Sequence, residues 1–567
     1  MFKYLKIIYH TPTNPVKNET ALVEPPCAEE SFYAIISHTM RLCRIEPKAS
    51  WKAAAAVAAM LASANFANAS FCRVLGEGLV RSHMERFSSD DDELYTNAIP
   101  NSAAGPWALE NIPRFDCPDK ELVRIYYFRW WTYRKHLRKT PSGWVVTEFL
   151  PKVPWAGKNN TICCPLNHHF LEGRWLRNSS YLDDYMRFMA REGRINGPKA
   201  YACAPAWSAC ERVNVTGDAK PVVELLPDFV RNYETWERGW KMIGSEFIAG
   251  FKPEKGLFEL PKNHEGTEFA LSPNGARPML NSMMWAEASA IARLARSGGD
   301  AGLAARFEAK AAALEKSIKG RLWNTKKRFF TSMSPNGTLD DVCELHGYAP
   351  FYFRMPLKGY EEAWRPLLSE RGFFAPKGLA FPARDTPGFT VTPDFNGHEC
   401  LWNGPSWPYA TSVALTALYE TLQSGERLPV SGEDFVRLLG QYAAQHARVR
   451  EDGKAVPWID EDLNPFTGDW QARTILIEQD RRGIRKLAIR ERGKDYNHST
   501  FCDLVIAGLC GIVPRERGGL VVKPLAPESW DWWCIDGVRY HGRDVTVLFD
   551  RDGSRYGKGR GLVVIDE

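Results

Sequence analysis

A chain of 567 residues, 44% hydrophobic and 25% charged, has the composition of an ordinary globular protein with material for a large core. Its net charge of +5 comes from 73 basic and 68 acidic residues spread along the chain. No polybasic surface of the kind nucleic acid requires is indicated. Thirteen cysteines without a CxxC pair are neither a zinc framework nor a disulfide scaffold.

Near the N-terminus, Arg41, Arg44 and Lys48 precede an apolar, alanine-rich run from Ala53 to Phe66, closed by Ala67-Asn68-Ala69-Ser70. A basic start, a short apolar stretch and a small-x-small end describe a secretory signal peptide, with Met40 as its first residue. On that reading residues 1–39 are an upstream extension, residues 1–69 stand outside the mature fold, and the product is secreted or periplasmic. The run is too short to span a bilayer, and no other apolar stretch approaches that length.

Residues 70–120 read as an irregular lead-in, and helical patterns dominate from about residue 120. The aromatics of Leu122–Lys139 fit neither a helical nor a strand period. Ser180–Glu192 is amphipathic and Pro221–Arg238 follows with an internal proline. Met279–Arg296 places Leu280, Met283, Met284, Ala288, Ile291 and Leu294 on one face. Ala301–Leu322, Trp407–Leu422, Glu433–Ala447 and Ser499–Leu509 are further predicted helices, the last opened by Ser and Thr and stopped at Gly511. Long aromatic loops at 248–278, 326–358, 371–406 and 451–497 separate them, and ordered loops of that length on a helical scaffold carry function. The expected fold over 70–512 is mainly α, a toroid of antiparallel helical hairpins, monomeric or weakly oligomeric. The short β-branched runs of 513–567 predict a small C-terminal β appendage.

Two of those loops are acidic: Glu265-Gly266-Thr267-Glu268, ahead of a long helix, and Asp460-Glu461-Asp462, inside Trp458–Pro465. Two carboxylates flanking an aromatic cleft meet the need of glycosidic-bond hydrolysis, one protonating the leaving oxygen and the other activating water. Glu265 competes with Glu268 for the first role, and Asp460 and Asp462 with Glu461 for the second. Arg129, Trp130, His168, His169, Glu172 and Arg174 form a polar-aromatic group suited to a sugar subsite, as do Trp155, Trp402 and Trp407. His498 either binds a hydroxyl, positions water or caps the last helix. His398 with Cys400, and His498 with Cys502, raise a metal site, but zinc takes three or four convergent ligands; no metal or other cofactor is expected.

Gly266-Thr267-Glu268 followed by Arg277-Pro278-Met279-Leu280-Asn281-Ser282 resembles the general-acid region of the six-hairpin glycosidases. Trp402-Asn403-Gly404-Pro405-Ser406-Trp407-Pro408 is similar to that superfamily's barrel-mouth element, and Glu461–Gly468 to its catalytic-base segment. The nearest likeness is to mannosylglycerate hydrolase-like glycosidases, beside trehalases and processing α-glucosidases. It implies an (α/α)6 barrel, Glu268 as general acid, Glu461 as general base, inversion at the anomeric centre, and Glu265, Asn281, Asn403, the two tryptophans and His498 on the substrate side. Relatives in the trehalase branch place Asp where this chain has Glu268. The expected activity is that of a glycosidase acting on an oligo- or polysaccharide from the chain end, with sugar, anomer and linkage open. Two other readings stand beside it: a polysaccharide lyase using Tyr348 near His346, or Tyr496 with Asn497 and His498, and a barrel that binds glycans without turnover.

Overall fold

The computed structural model describes residues 73–95, 97–242, 246–450, 452–484 and 491–567, together with the backbone of Lys6–Tyr9. The signal peptide expected at Met40–Ala69 lies outside the described residues. The molecule is mainly helical with a small C-terminal sheet, and no described helix is long and apolar enough to cross a membrane.

Helices buried on all sides alternate along the chain with amphipathic ones. Pro278–Ser297 buries most of its length, while its neighbour Ala301–Arg321 buries only Ala304, Phe307, Ala311, Leu314 and Ile318, one stripe at helical spacing. The turn between them is closed by Asp300, whose carboxylate accepts the amide of Leu303 (2.9 Å). The same contrast recurs between Pro408–Ser424 and Gly432–Gln445, between Pro205–Thr216 and Leu226–Arg238, and between Leu166–Gly173 and Ser180–Arg191. The buried members touch in series. Leu166–Gly173 packs on Pro205–Thr216, that helix on Pro278–Ser297, and contacts continue through Ala349–Tyr352 and Pro408–Ser424 to Phe501–Leu509, which returns to Leu166–Gly173.

Lys120–His136 is a helix with fourteen buried residues; an element wrapped by protein on every side has no polar face to reveal its period. The predicted helix at Pro221–Arg238 breaks into Lys220–Val223 and Leu226–Arg238, because Pro227 can open a helix but not continue one. Ser499–Leu509 holds one α-turn, Phe501–Asp503, then a π-helical stretch, Leu504–Leu509.

The C-terminal sheet is built from Trp532–Tyr540, Arg543–Asp550 and Gly561–Asp566, all antiparallel. The stretch 70–120 is not irregular as expected but holds helices Glu77–Ser89 and Ala104–Asn111 and strand Arg114–Asp116, which pairs with Trp532–Tyr540 on one edge; Lys6–Tyr9 lies parallel to Gly561–Asp566 on the other. Described cysteines are free thiols.

Candidate active site

A cavity of about 280 Å³ collects residues from six separate loops, among them Glu268 and Glu461. Two local devices aim these side chains. After the turn Lys262–Glu265, Gly266 takes a left-handed backbone (φ +69°). A side chain there would be strained, and its Cβ would come within 3.0 Å of Cys164 Sγ. The reversal sends Glu265 and Glu268 in different directions. Glu265 is buried against the start of Pro278–Ser297, its Oε2 accepting from Arg277 Nε (2.5 Å) and its Oε1 from the Leu280 amide (3.0 Å). Glu268 turns to the cavity while its carbonyl accepts the Trp402 amide (3.1 Å).

At 460–462 successive side chains go to different partners. Asp460 accepts from Trp458 Nε1 (3.1 Å) and pairs with Arg473. Asp462 Oδ1 accepts the Ala472 amide (2.9 Å), tying the loop to helix Gln471–Arg481. Glu461, between them, faces the cavity. Its Oε2 accepts from Arg492 Nη2 (2.5 Å), and its Oε1 lies 3.7 Å from Cys400 Sγ. Arg492 Nη1 also donates to Glu399 Oε1 (2.6 Å), so one guanidinium bridges two carboxylates.

The electrostatics separate these acids. Burial pushes Glu268 up to about 7, and the carboxylates of Glu461, Glu148 and Glu399 add to the effect. Burial likewise raises Glu461 to about 7; Arg492 opposes the rise, while Asp460 and Glu399 reinforce it. For Glu399 burial is overcome by Arg492, which holds it near 2. Glu265 is also held near 2, because Arg277 and His346 outweigh its burial. Two like-charged groups in one low-dielectric site resist ionising together.

The aromatic wall comes from Trp402 and Trp407, stacked at 4.1 Å and 7°, with Trp155, Tyr201 and Tyr496 around the cavity. Trp407 Nε1 donates to Leu401 O (2.9 Å). Paired backbone hydrogen bonds between Ser406 and Leu463 (2.8 and 2.9 Å) fasten this segment to the loop of Glu461. His498 lines the same cavity, its Nε2 2.8 Å from Glu148 Oε1, which also accepts from the Tyr496 hydroxyl (2.9 Å).

The cavity thus brings together Glu268, Glu461, Trp402, Trp407 and His498 from the residues singled out in the sequence. Arg129, Trp130, His168, His169, Glu172 and Arg174 are not on its wall. They are fully buried between helices: Arg174 with Asp503 and Glu211, Arg129 beside Glu172 at 3.8 Å, His168 on Tyr409 O and His169 on Asn497 O. Asn281 exchanges hydrogen bonds with the backbone of Phe258, and the Asn403 carbonyl accepts the Thr390 amide.

Glu148, Glu399 and Arg492 are the charged cavity residues that sequence reasoning missed. Glu148 sits in an apolar run and Arg492 in a basic loop, neither within a recognisable spacing. Glu399 stands between the two residues weighed as metal ligands. The ligand atoms of His398, Glu399 and Cys400 lie within 4.8 Å of one another, one grouping able to hold a cation among the described residues. Glu399 is already bonded to Arg492, and burial followed by the charge of Glu461 keeps the Cys400 thiol protonated, against the thiolate a metal binds.

Residues 158–499 match the family described as the mannosylglycerate hydrolase MGH1-like glycoside hydrolase domain, and residues 515–566 match the glycosyl hydrolase family 65 C-terminal domain. A solved structure described as a sialidase is 33% identical over 87% of this chain, with a TM-score of 0.76. This chain spans 43% of that protein's length. The GH63 mannosylglycerate hydrolase from Thermus thermophilus, solved with glucose, is 12% identical, covering 64% of this chain and 95% of its own at a TM-score of 0.43. A GH78 rhamnosidase of Bacillus sp. GL1 is 13% identical, covering 77% and 40%, at 0.48; neither of these two bears on the fold.

Proposed function

The chain belongs to the mannosylglycerate hydrolase MGH1-like glycoside hydrolase family, and we propose from that premise that it is a glycosidase with Glu268 as general acid and Glu461 as general base. The observation that carries this reading is the meeting of these two carboxylates, 193 residues apart in the chain (461 − 268), in one aromatic cavity that burial holds near neutral pH. Like charges disfavour double ionisation, so around pH 7 the pair holds one proton. Arg492 and the Cys400 thiol both favour the anion on Glu461, which leaves the proton on Glu268. Glu461 then takes a proton from water as its oxygen attacks the anomeric carbon, and Glu268 gives its proton to the departing oxygen. Attack by water from the side opposite the leaving group inverts the anomeric centre.

The closed series of six buried helical segments, four of them followed by an amphipathic neighbour, supports an (α/α)6 barrel. Its cavity, enclosed by long loops, suits a chain end of an oligosaccharide. Export through a signal peptide at Met40–Ala69, and a monomeric or weakly associated state, complete the proposal. A lyase would need an Arg or Asn to neutralise a uronate; Arg492, the arginine on the cavity wall, is bonded to two carboxylates already, and the Asn497 amide is bonded to Arg129 and Thr147 O.

An oligosaccharide panel tests the reading, with reducing sugar and ultraviolet absorbance followed together and the product anomer read by NMR. Hydrolysis giving the inverted anomer supports it. Unsaturated products would replace it with a lyase, and binding without turnover with a glycan-binding protein.

The pH profile follows from the same charges. The acid must keep its proton and the base must lose its own, so kcat/KM is expected to fall on both sides of a maximum near pH 7. In Arg492→Gln, Glu461 loses the neighbour that opposes its burial. The acid limb of the profile should then move up by about 1–3 pH units, with more activity lost at pH 6 than at pH 8. An unchanged acid limb would show that Glu461 is not the base.

A further inference from the structure

Phe269 follows the proposed general acid and is held where an aromatic residue rarely sits. Its φ is +62°, in the left-handed region that crowds Cβ against the next carbonyl and favours Gly or Asn. The main chain on either side is fixed. The Thr267 hydroxyl donates to Lys262 O (2.9 Å), the Ala270 amide to Thr267 O (3.2 Å), and the Trp402 amide to the Glu268 carbonyl. This tight turn would accept glycine more readily than phenylalanine. Core packing does not account for the ring either, since Phe269 is 52% exposed. Its one described ring contact is with His398, tilted 42° at a centroid distance of 5.8 Å. His398 belongs to the cavity wall.

A strained, exposed aromatic beside a reacting group points to a ligand, because strain persists where function holds it. Resting on the glycosidase reading, we infer that Phe269 and His398 form the platform for the leaving-group sugar, just outside the cavity. The geometry assigns the direction. Glu268 must reach the glycosidic oxygen, so the ring being cleaved off lies on its outer side, and Phe269 is the next residue along the chain. A flat apolar ring meets the C–H face of a pyranose, while imidazole nitrogen beside it can bond a hydroxyl. The occupant is an uncharged pyranosyl unit, or an aromatic aglycone of similar breadth.

The test compares two substrates of the same cleaved sugar: its disaccharide and its glycosyl fluoride, whose leaving group carries no ring. For Phe269→Gly the ratio of kcat/KM, disaccharide over fluoride, is expected to fall about tenfold or more, the scale of one lost aromatic contact. Phe269→Tyr should restore the ratio. Glycine adopts the left-handed backbone freely, so the Tm of Phe269→Gly should equal or exceed that of the wild type, which separates this loss from misfolding. An unchanged ratio, or an equal fall on both substrates, would overturn the platform. Wild-type protein that cleaves neither substrate would overturn the glycosidase reading, and the platform with it.

Discussion

Glu461→Gln is expected to lower kcat by about 10²–10⁴-fold or more on every substrate, the range that a positioned acid or base supplies, with the fold intact. The amide keeps the shape of the carboxylate and can still accept from Arg492, which retains Glu399 as a charged partner. What it cannot do is take a proton from water. Glu268→Gln is expected to cost as much on natural glycosides but far less on aryl glycosides with acidic phenols, whose leaving groups need no protonation. That difference in leaving-group dependence assigns the two roles, where equal losses would only show that both residues matter. Glu148 and Glu399 supply the controls, since both line the same cavity. Glu399, ionised and bonded to Arg492, has no proton to give. If Glu148→Gln showed the leaving-group signature in place of Glu268→Gln, the acid would be Glu148. Retention of most activity by Glu461→Gln would place the base elsewhere.

The sequence was most legible where an element had one wet face or a spaced motif. Ala301–Arg321 carries its polar stripe in plain view, and prediction and structure agree there within a residue. Lys120–His136 did not, because burial on every side erased its period, and Leu166–Gly173 and Pro205–Thr216 escaped notice for the same reason. The site followed a parallel rule. Glu268 and Glu461 stood out beside Gly266 and Asn464-Pro465-Phe466-Thr467-Gly468, turn residues with a local signature. Glu148, Glu399 and Arg492 are joined only by tertiary contacts, Arg492 to Glu399 across 93 positions, and no local pattern encodes such a meeting. The cluster Arg129, His168, His169, Glu172 and Arg174 misled in the opposite direction. Its polar residues are taken up by partners elsewhere in the helical interior, Arg174 by Asp503 and Glu211 and the two histidines by backbone carbonyls, a use of charge that reads in sequence like a binding site.

Arg277→Met is expected to destabilise the protein by about 3–5 kcal/mol at neutral pH, the cost of removing one partner from a buried ion pair. The guanidinium is buried and bonded to Glu265 (2.5 Å), to Glu344 (3.2 Å) and to Ser272 Oγ (2.6 Å). Its loss leaves the Glu265 carboxylate desolvated. The pH dependence gives the effect a sign. In the wild type Glu265 is held near 2, below the 4.5 of an unperturbed glutamate. The folded state therefore binds fewer protons, and this stabilisation is present above pH 4.5 and lost as pH falls towards 2. In the variant only His346 and the Leu280 amide still oppose burial, so the group rises, folding takes up a proton and the deficit grows as pH rises through 4.5 and beyond. Denaturant titrations should show the gap between variant and wild type widening from pH 4 to pH 7; a gap independent of pH would mean that the loss is one of packing. Adding Glu265→Gln to Arg277→Met should recover much of the stability, because a neutral amide can still accept from the Leu280 amide. Kinetics complete the argument. Glu265 anchors the turn that ends in Glu268, so Arg277→Met should also lower kcat, and the double variant should restore part of it if position, rather than charge, is what Glu265 provides.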